Sequence, residues 1–292
     1  MTGTVRTVEG GSGLGTMLRA ALPAVPGVNQ LPGVKKSARE LPDLTLRRED
    51  VEVTRAEVDA YAKVCGFPNK DIAPLPYLHM LAFPLHMAMM TDSSFPFPAI
   101  GTVHLENSIT QHRPVGIGEK VSLTLRAENL RASTKGKAFD MNVSARVGDE
   151  LVWESTSTYL RIGKGDKEAG DAGTSFAPVS ARGATWRLPD DLGRRYGAVS
   201  GDRNPIHLYP LTAKAFGFPR HIAHGMWSKA RCIAAIENRL PYAVRVEVGF
   251  KKPIFLPGTV AFGYSPTDAG LEFALSNPKS GAPHLLGRTT AL

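Results

Sequence analysis

The hydrophobic positions of this chain alternate with polar ones in two separate stretches, which predicts two sets of antiparallel strands. In the first stretch the predicted strands span residues 103–111, 119–130, 138–147 and 150–162. In the second they span residues 243–252, 258–266, 270–277 and 284–292. The polar residues between neighbouring segments are typical of turns, so consecutive strands are expected to pair with each other.

Helical spacing of apolar residues precedes each stretch of strands. A helix over residues 54–65 and a buried helix over 81–90, with Pro84 in its first turn, come before the first set. A short helix through residues 194–196 and a longer one over 225–238 come before the second set. Helices that pack on antiparallel sheets indicate an α+β fold.

The order of elements therefore occurs twice, and the two halves can be matched by eye. Residues 61–69 lie over 196–204 at a shift of 135, residues 82–85 over 223–226 at 141, and residues 113–115 over 252–254 at 139. On this match Phe67, Ile72 and Pro84 stand where Asp202, His207 and Gly225 stand in the second half. We expect that the first half keeps the fold without the chemistry and forms one wall of a binding slot.

Composition divides the chain into four segments. Residues 1–45 are rich in Gly and Pro and are expected to form an extended arm over the core. Residues 46–162 form the first repeat, and residues 184–292 form the second. Between them, residues 163–183 are polar, rich in Gly and Ala and without periodicity, which is typical of a linker.

The charge of the chain narrows the class of partner. The 292 residues carry 35 basic and 27 acidic side chains, a net charge of +8. The charges are scattered, with no basic stripe interleaved with aromatic residues, so we expect no nucleic-acid partner. A ligand with phosphates, an acidic carrier protein or a plain solvated basic surface would each explain the excess.

The lengths of the apolar segments and the use of cysteine indicate the cellular compartment. No apolar run approaches the roughly 18–20 residues of a membrane span, and the N-terminal stretch lacks the apolar segment of a signal peptide. Cys65 and Cys232 give neither a disulfide framework nor metal-ligand spacing, and both are expected to be buried thiols. The sequence therefore predicts a cytoplasmic protein.

The chemistry concentrates in the stretch Gly-Asp-Arg-Asn-Pro-Ile-His of the second half. Gly201 and Pro205 favour a sharp loop that can turn Asp202 and His207 toward one place, and Asn204 can hold the loop. Taken alone, an Asp here could simply bond its own backbone, and a His could be structural. Together they form a minimal set for proton transfer, because an imidazole titrates near neutrality and a carboxylate favours its charged form.

Gly225 follows about twenty residues later, at the predicted start of the longer helix. Its backbone N–H would be one of the donors left unpaired at a helix N-terminus, where the helix dipole adds positive potential. Such a donor stabilises a developing oxyanion. A glycine at this position could also serve only close packing under the sheet.

Residues 196–207 followed by Ile-Ala-His-Gly-Met at 222–226 resemble the signature of the MaoC-like (R)-specific enoyl-CoA hydratase and (3R)-hydroxyacyl-thioester dehydratase family. The resemblance implies a double hotdog: two tandem repeats, each a long central helix wrapped by an antiparallel sheet, with an inactive first copy and an active second copy. It also implies a homodimer. The motif covers the second half, whereas the first half matches only in layout.

By position, the resemblance implies that Asp202 and His207 are the catalytic pair and that Gly225 donates to the thioester oxygen. Asn204, Ser200 and Tyr196 are then expected to support the loop. The implied reaction is syn addition of water to a trans-2-enoyl thioester, or its reverse, within fatty-acid metabolism, with chain elongation as the expected setting. No metal and no redox cofactor are expected.

The substrate needs an apolar slot for its chain and cations for its phosphates. Slot candidates lie on the buried helix of the first half: Leu81, Phe83, Leu85, Met87, Met89 and Met90. These side chains could equally be plain core. Candidates for contacts to coenzyme A or phosphopantetheine are Arg220, Lys251 and Lys252, of which the lysine pair could also be a solvated strand end.

Two other functions stay open from the sequence: a hotdog acyl-thioesterase, and a non-catalytic subunit that binds acyl thioesters. The length of the acyl chain, the choice between coenzyme A and an acyl carrier protein, and the physiological direction are also open. So are the oligomeric state and the division of the two proton transfers between Asp202 and His207.

Overall fold

The computed structural model describes residues 3–9, 38–99, 101–180 and 183–292. In these ranges the α-helices are α1 (Arg55–Cys65), α2 (Tyr77–Thr91), α3 (Leu192–Ser200), α4 (Pro210–Ala215) and α5 (Gly225–Ile236). The strands of the first half are β1 (Thr4–Thr7), β2 (Leu44–Glu52), β3 (Thr102–Gln111), β4 (Lys120–Ser133), β5 (Gly136–Val147) and β6 (Glu150–Ile162). Those of the second half are β7 (Ala184–Leu188), β8 (Val244–Phe250), β9 (Gly258–Thr267), β10 (Gly270–Ser276) and β11 (Pro283–Ala291).

All of these strands lie in one sheet with the order β1-β2-β4-β5-β6-β3-β8-β11-β10-β9-β7. The two halves join where β3 pairs antiparallel with β8, with Ser108 opposite Glu247 and Ile109 opposite Val246. Outward from this junction, β3-β6-β5-β4-β2 on one side matches β8-β11-β10-β9-β7 on the other. The repeated α+β architecture predicted from the sequence is therefore confirmed at the level of topology.

The helices α2 and α5 are the central helices of the two halves. Eleven of the fifteen residues of α2 are buried, as expected for a helix that is apolar on all sides. It packs against β2, β4 and β5, whereas α5 packs against β10. The core consequently lies between each central helix and its part of the sheet.

The strands predicted by alternation are confirmed, with end points that differ by a few residues. Three strands were not predicted: β1, β2 and β7. In β2 the charged run from Arg47 to Asp50, with a bulge between Arg48 and Val51, hides the alternation. In β7 only Leu188 is buried, so five residues carry too little pattern to be read.

The helix predicted over residues 81–90 is longer than expected. It begins at Tyr77, so the prediction that Pro84 lies in the first turn is wrong. Pro84 sits in the interior and deprives the Met80 carbonyl of its helical donor. The next carbonyl, that of Leu81, accepts a hydrogen bond from Arg48 Nη1 at 2.6 Å. Burial of the whole helix evidently outweighs the cost of the proline.

The match between the halves also needs correction. Gly66 and Gly201 end α1 and α3 in the same left-handed conformation, which agrees with the shift of 135. Beyond them, Ala73 N donates to Val115 O at 2.8 Å just as Ala223 N donates to Ile254 O at 2.9 Å, so Ala73 is the counterpart of Ala223.

The pairings of Ile72 with His207 and of Pro84 with Gly225 are therefore wrong. Ala73 comes seven positions after Gly66, whereas Ala223 comes twenty-two positions after Gly201. The first half lacks most of the segment that carries His207, rather than replacing single residues within it. Gly225, two residues after Ala223, corresponds to Leu75.

The predicted arm and linker both contact the sheet. Residues 4–7 of the arm pair in parallel with β2, while the predicted course of residues 10–37 lies outside the described residues. In the linker, Asp166 N donates to Ser133 O at 3.0 Å, and the Thr174 hydroxyl donates to Glu106 Oε2 at 2.9 Å. The domain boundaries themselves stay a prediction, since β2 begins before residue 46.

Two further expectations can be compared with the structure. Cys65 and Cys232 are both buried free thiols, as predicted. Among the helices in the described ranges, none combines the length and the apolar character needed to cross a bilayer.

Candidate active site

The loop after α3 presents the Asp202 carboxylate. Gly201, with a φ of 76°, ends α3 and turns the chain. Asp202 N then donates to Ser200 Oγ at 3.2 Å, and Asn204 N donates to Asp202 Oδ1 at 3.1 Å. The Asn204 side chain accepts from Ile206 N at 3.4 Å and caps a short 3-10 turn over Pro205–His207. Short-range bonds thus hold both the loop and the carboxylate.

His207 is held at the end of this turn. Its Nδ1 lies 2.8 Å from the carbonyl oxygen of Ile222, and because a carbonyl only accepts, Nδ1 carries the proton. The lone pair is then on Nε2. Burial lowers the pKa of His207, opposed by the nearby Asp202 charge and the bond to Ile222. His207 is therefore a neutral imidazole at neutral pH, and its Nε2 can accept a proton.

His224 completes the site and was given no role from the sequence. Its ring stacks on that of His207 with centroids 3.8 Å apart, and its Nε2 donates to the Asp202 carbonyl oxygen at 3.0 Å. Burial lowers the pKa of His224 to about 3, with the His207 ring adding to the effect. The step from His224 to Met226, already notable in the sequence, was the available signal.

Tyr196 acts on the loop indirectly. Its ring lies 4.9 Å from that of His224, at an angle of 51°, and is buried. Tyr196, which was expected to support the loop, therefore packs on His224, and His224 in turn donates a hydrogen bond to the loop at Asp202.

The acidic and imidazole groups converge closely enough to act together. One ligand atom from each of Asp202, His207 and His224 lies within 4.8 Å of the others. This spacing could hold a divalent cation, although one nitrogen of each imidazole is already bonded to a backbone carbonyl. It is equally the spacing at which a carboxyl group and an imidazole lone pair can share one water molecule.

Gly225 is the first residue of α5, so its N–H has no acceptor within the helix. A Cβ atom at this position would lie 3.1 Å from the ring of Phe250. Glycine thus allows the Phe250 ring to approach the helix N-terminus closely. Both possibilities raised by the sequence, a donor position and a packing position, are compatible with this geometry.

The site opens into a cavity of about 770 Å³ that both halves line. On the first-half side, Phe83, Met87 and Met90 line it together with Met80, which the sequence analysis missed. These residues recur at helical spacing and share one face of α2. Most of the rest of the lining is apolar, which suits a hydrocarbon chain.

The other three slot candidates do not reach the cavity. Leu81, Leu85 and Met89 occupy a different face of α2, and they are buried in the core of the first half. They follow one another at intervals of four residues, so they form a row on the helix surface that is rotated away from the residues lining the cavity. The sequence identified the helix correctly but could not distinguish its two apolar faces.

Cationic side chains lie along the cavity on the second-half side. Lys251 and Lys252 line it, as does Arg203, which the sequence analysis did not select. His284 also lines it, but burial lowers the pKa of its imidazole. Arg220 does not line the cavity. Its guanidinium instead lies 5.8 Å from the centroid of the Phe255 ring.

Comparison with known proteins gives matches to a family model, to a curated relative and to solved structures. Residues 174–269 match the family model described as MaoC like domain. The chain is 39% identical over 288 residues to 3-hydroxyacyl-thioester dehydratase X of Mycobacterium tuberculosis, covering 96% of this chain and 99% of that protein.

Solved structures agree in fold. The crystal structure of HtdX of Mycobacterium tuberculosis is similar with a TM-score of 0.75 and 38% identity, covering 85% of this chain and 100% of that one. A MaoC-like dehydratase from Phytophthora capsici has a TM-score of 0.71 at 19% identity, covering 85% of this chain and 95% of that one, and it supports the fold alone.

Proposed function

Because this chain belongs to the MaoC-like family of 3-hydroxyacyl-thioester dehydratases, we propose that it interconverts trans-2-enoyl and (3R)-hydroxyacyl thioesters in fatty-acid metabolism. The observation that carries the proposal is the convergence of Asp202 and the neutral His207 on one point of a large apolar cavity. Gly225, whose N–H has no acceptor within α5, lines the same cavity.

The thioester oxygen is proposed to accept a hydrogen bond from Gly225 N–H. Adding water to the double bond moves negative charge onto this oxygen, which becomes an enolate oxygen in the intermediate. The N–H at the helix N-terminus and the helix dipole both stabilise that charge. The thioester then lies with C2 and C3 toward Asp202 and His207.

The proposed proton transfers start from a neutral His207 whose Nε2 carries the lone pair. Nε2 of His207 takes one proton from the water molecule as the water oxygen bonds to C3. The Asp202 carboxylate holds the other hydrogen of this water, and the proton taken by His207 is delivered to C2 on the same face, which makes the addition syn. The hydroxyl group on C3 and the hydrogen on C2 together account for one water, and Asp202 and His207 end in the states in which they began. Dehydration runs the same steps in reverse.

The ends of the substrate are proposed to occupy opposite parts of the cavity. The acyl chain lies along Phe83, Met87 and Met90, whose apolar surface favours medium or long chains. The phosphates of coenzyme A, or of the phosphopantetheine of an acyl carrier protein, lie toward Lys251 and Lys252. Either carrier fits this arrangement, and a role in fatty-acid elongation is our preferred setting.

We also propose a cytoplasmic location and a homodimeric assembly. The two buried free thiols are consistent with a reducing compartment, which supports the cytoplasm. A homodimer is carried over from the family resemblance. Size-exclusion chromatography with light scattering would test it.

The test of this function uses trans-2-enoyl-CoAs and enoyl-carrier-protein thioesters of several chain lengths. Loss of absorbance at the enoyl-thioester band and chiral analysis of the product should show (3R)-hydroxyacyl thioester. Asp202→Asn and His207→Ala should each lower kcat by roughly 10²–10⁴-fold, the usual contribution of a proton-transfer group. His112→Ala is the matched control, because His112 is half-exposed at the far end of β3 and pairs with Glu154.

Other results would point to the alternatives. Release of free thiol without loss of the double bond would indicate a thioesterase. Binding of acyl thioesters with no turnover of either carrier would indicate a non-catalytic subunit. Unchanged rates in both site variants would contradict the assignment of Asp202 and His207.

A further inference from the structure

A cluster of polar rings stands on the first-half side of the cavity, apart from the proposed catalytic pair. His79, His104 and Tyr159 line the cavity, and His86 packs behind them. The His104 and Tyr159 rings stack with centroids 4.6 Å apart, and His79 lies 5.1 Å from His86. We call these four residues the histidine cluster. The proposed reaction assigns no role to any of them.

The imidazoles of the cluster are neutral and poorly paired. Burial lowers the pKa of His86 and of His104 to about 3, and it lowers that of His79 well below its ordinary value. Each ring therefore offers one donor and one acceptor nitrogen. In the part of the chain that the structure describes, the side chains of the cluster bond one another once, between the Tyr159 hydroxyl and His86 Nδ1 at 3.3 Å, and His104 has a further bond to the backbone of Glu106.

Three nitrogens of the cluster are buried without any hydrogen-bond partner among the described residues: His79 Nδ1, His86 Nε2 and His104 Nε2. His79 is only 5% exposed, and it is a wall residue of the cavity. Buried polar groups are normally paired, and leaving them unpaired costs free energy. His79, His104 and Tyr159 line the cavity with polar rings, to which a hydrocarbon chain offers no hydrogen bond and an oxygen atom on the chain would.

The cluster lies close to the reaction centre. The Phe250 ring lies 3.1 Å from the Cβ position of Gly225, and its centroid is 5.1 Å from that of the His104 ring. The charge of Asp202 also contributes to raising the pKa of Tyr159. A substrate whose thioester oxygen reaches Gly225 would therefore bring the first carbons beyond C3 near these rings.

We propose that the histidine cluster is a second polar subsite, which binds an oxygen atom on the acyl chain beyond C3. The substrate class is then an enoyl or 3-hydroxyacyl thioester whose chain carries a further hydroxyl or carbonyl group. A neutral imidazole can donate to either oxygen, and its second nitrogen can accept from a hydroxyl. This inference rests on the proposed function and narrows its substrate.

The test compares unsubstituted trans-2-dodecenoyl-CoA with a series in which one hydroxyl is moved along the chain, a carbon at a time, from C4 onward. The wild-type enzyme should show kcat/KM at least about tenfold higher for one hydroxyl position than for the unsubstituted chain, since the gain is that of pairing buried polar groups. Tyr159→Phe and His79→Leu should bring this ratio close to one.

Two controls separate recognition from packing. Met87→Leu changes an apolar wall residue on the same face of α2 and should keep the ratio. His79→Gln keeps a donor and an acceptor and should recover part of what His79→Leu loses. Because the ratio compares two substrates on one protein sample, partial misfolding of a variant does not change it.

Equal kcat/KM for the unsubstituted chain and every hydroxylated chain would overturn the proposal, as would a preference that survives both Tyr159→Phe and His79→Leu. In either case water, not substrate, would pair the cluster. If no thioester is turned over, the proposed function fails instead. Calorimetric dissociation constants of saturated acyl-CoA and its hydroxylated counterparts then give the same comparison, and equal values overturn the subsite.

Discussion

At the scale of single residues, the backbone N–H of Gly225 is the group whose role can be isolated most cleanly. Gly225→Pro removes this hydrogen-bond donor, and proline is tolerated at the first position of a helix, so the helix itself should be kept. We expect kcat to fall by roughly 10²–10³-fold, as for the loss of one oxyanion donor. Steady-state kinetics with an enoyl thioester would measure it.

The control for this change is Gly225→Ala. It keeps the N–H but places a Cβ atom against the Phe250 ring, as the proline does. The difference between the two variants is then the contribution of the donor. Equal losses of kcat in both would mean that Gly225 matters for packing and not for the thioester oxygen.

At the scale of elements, the loop between α3 and the 3-10 turn depends on Asn204 for its shape. Asn204 N holds Asp202 Oδ1, and its side-chain oxygen caps the turn that carries His207. Asn204→Ala removes the cap, so we expect kcat to fall by about tenfold while KM changes little, because the pair is displaced and not removed. Steady-state kinetics that determine kcat and KM separately would measure this.

Asn204→Asp provides the matched control, since it keeps an acceptor for Ile206 N. It should retain most of the activity lost in the alanine variant. An alanine variant with normal kcat would show that the loop holds its shape through Ser200 and the Ile222 carbonyl alone.

At the scale of the whole molecule, the buried neutral histidines set the response to acid. His86 and His224 are fully or almost fully buried, and their pKa values of about 3 lie below the ordinary value near 6.5. Between these two pH values the unfolded chain binds protons that the folded protein does not. The free energy of unfolding should therefore fall as the pH is lowered, by about 1.4 kcal/mol per pH unit for each histidine.

Urea unfolding at pH 7.5 and pH 5.5 would check this expectation. The wild-type protein should be clearly less stable at the lower pH. Only the part of this interval below the ordinary pKa near 6.5 contributes, so the loss of stability of His86→Phe between pH 7.5 and pH 5.5 should be smaller by about 1.4 kcal/mol in total. Stability that is constant or increasing between pH 7.5 and 5.5 would show that these histidines are charged in the folded protein.

The two halves of the molecule contribute different parts of the proposed site. The first half is shorter by fifteen residues between its equivalents of Gly201 and Ala223, so it lacks the segment that carries His207. It supplies instead α2 and the strands β3 and β6, which bring Phe83, His104 and Tyr159 to the cavity. The proposed site therefore needs both halves.

The sequence by itself determined the strands that alternate clearly, the central helices and the order in which they repeat. These features depend on local spacing, which the chain carries whatever its tertiary contacts. It also determined the loop of Asp202, Asn204 and His207, because these residues are close in sequence and Gly201 and Pro205 force a turn. The family resemblance rested on the same short motif.

Only the tertiary structure decided which groups meet across the fold. The stacking of His224 on His207, the lining face of α2 and the histidine cluster all join residues from separate elements. The error in matching Pro84 with Gly225 has the same origin, since similar residue types at similar spacing carry no information on hydrogen-bond partners. Burial and distance decide which polar groups can act, and these arise only when the two halves pack around one cavity.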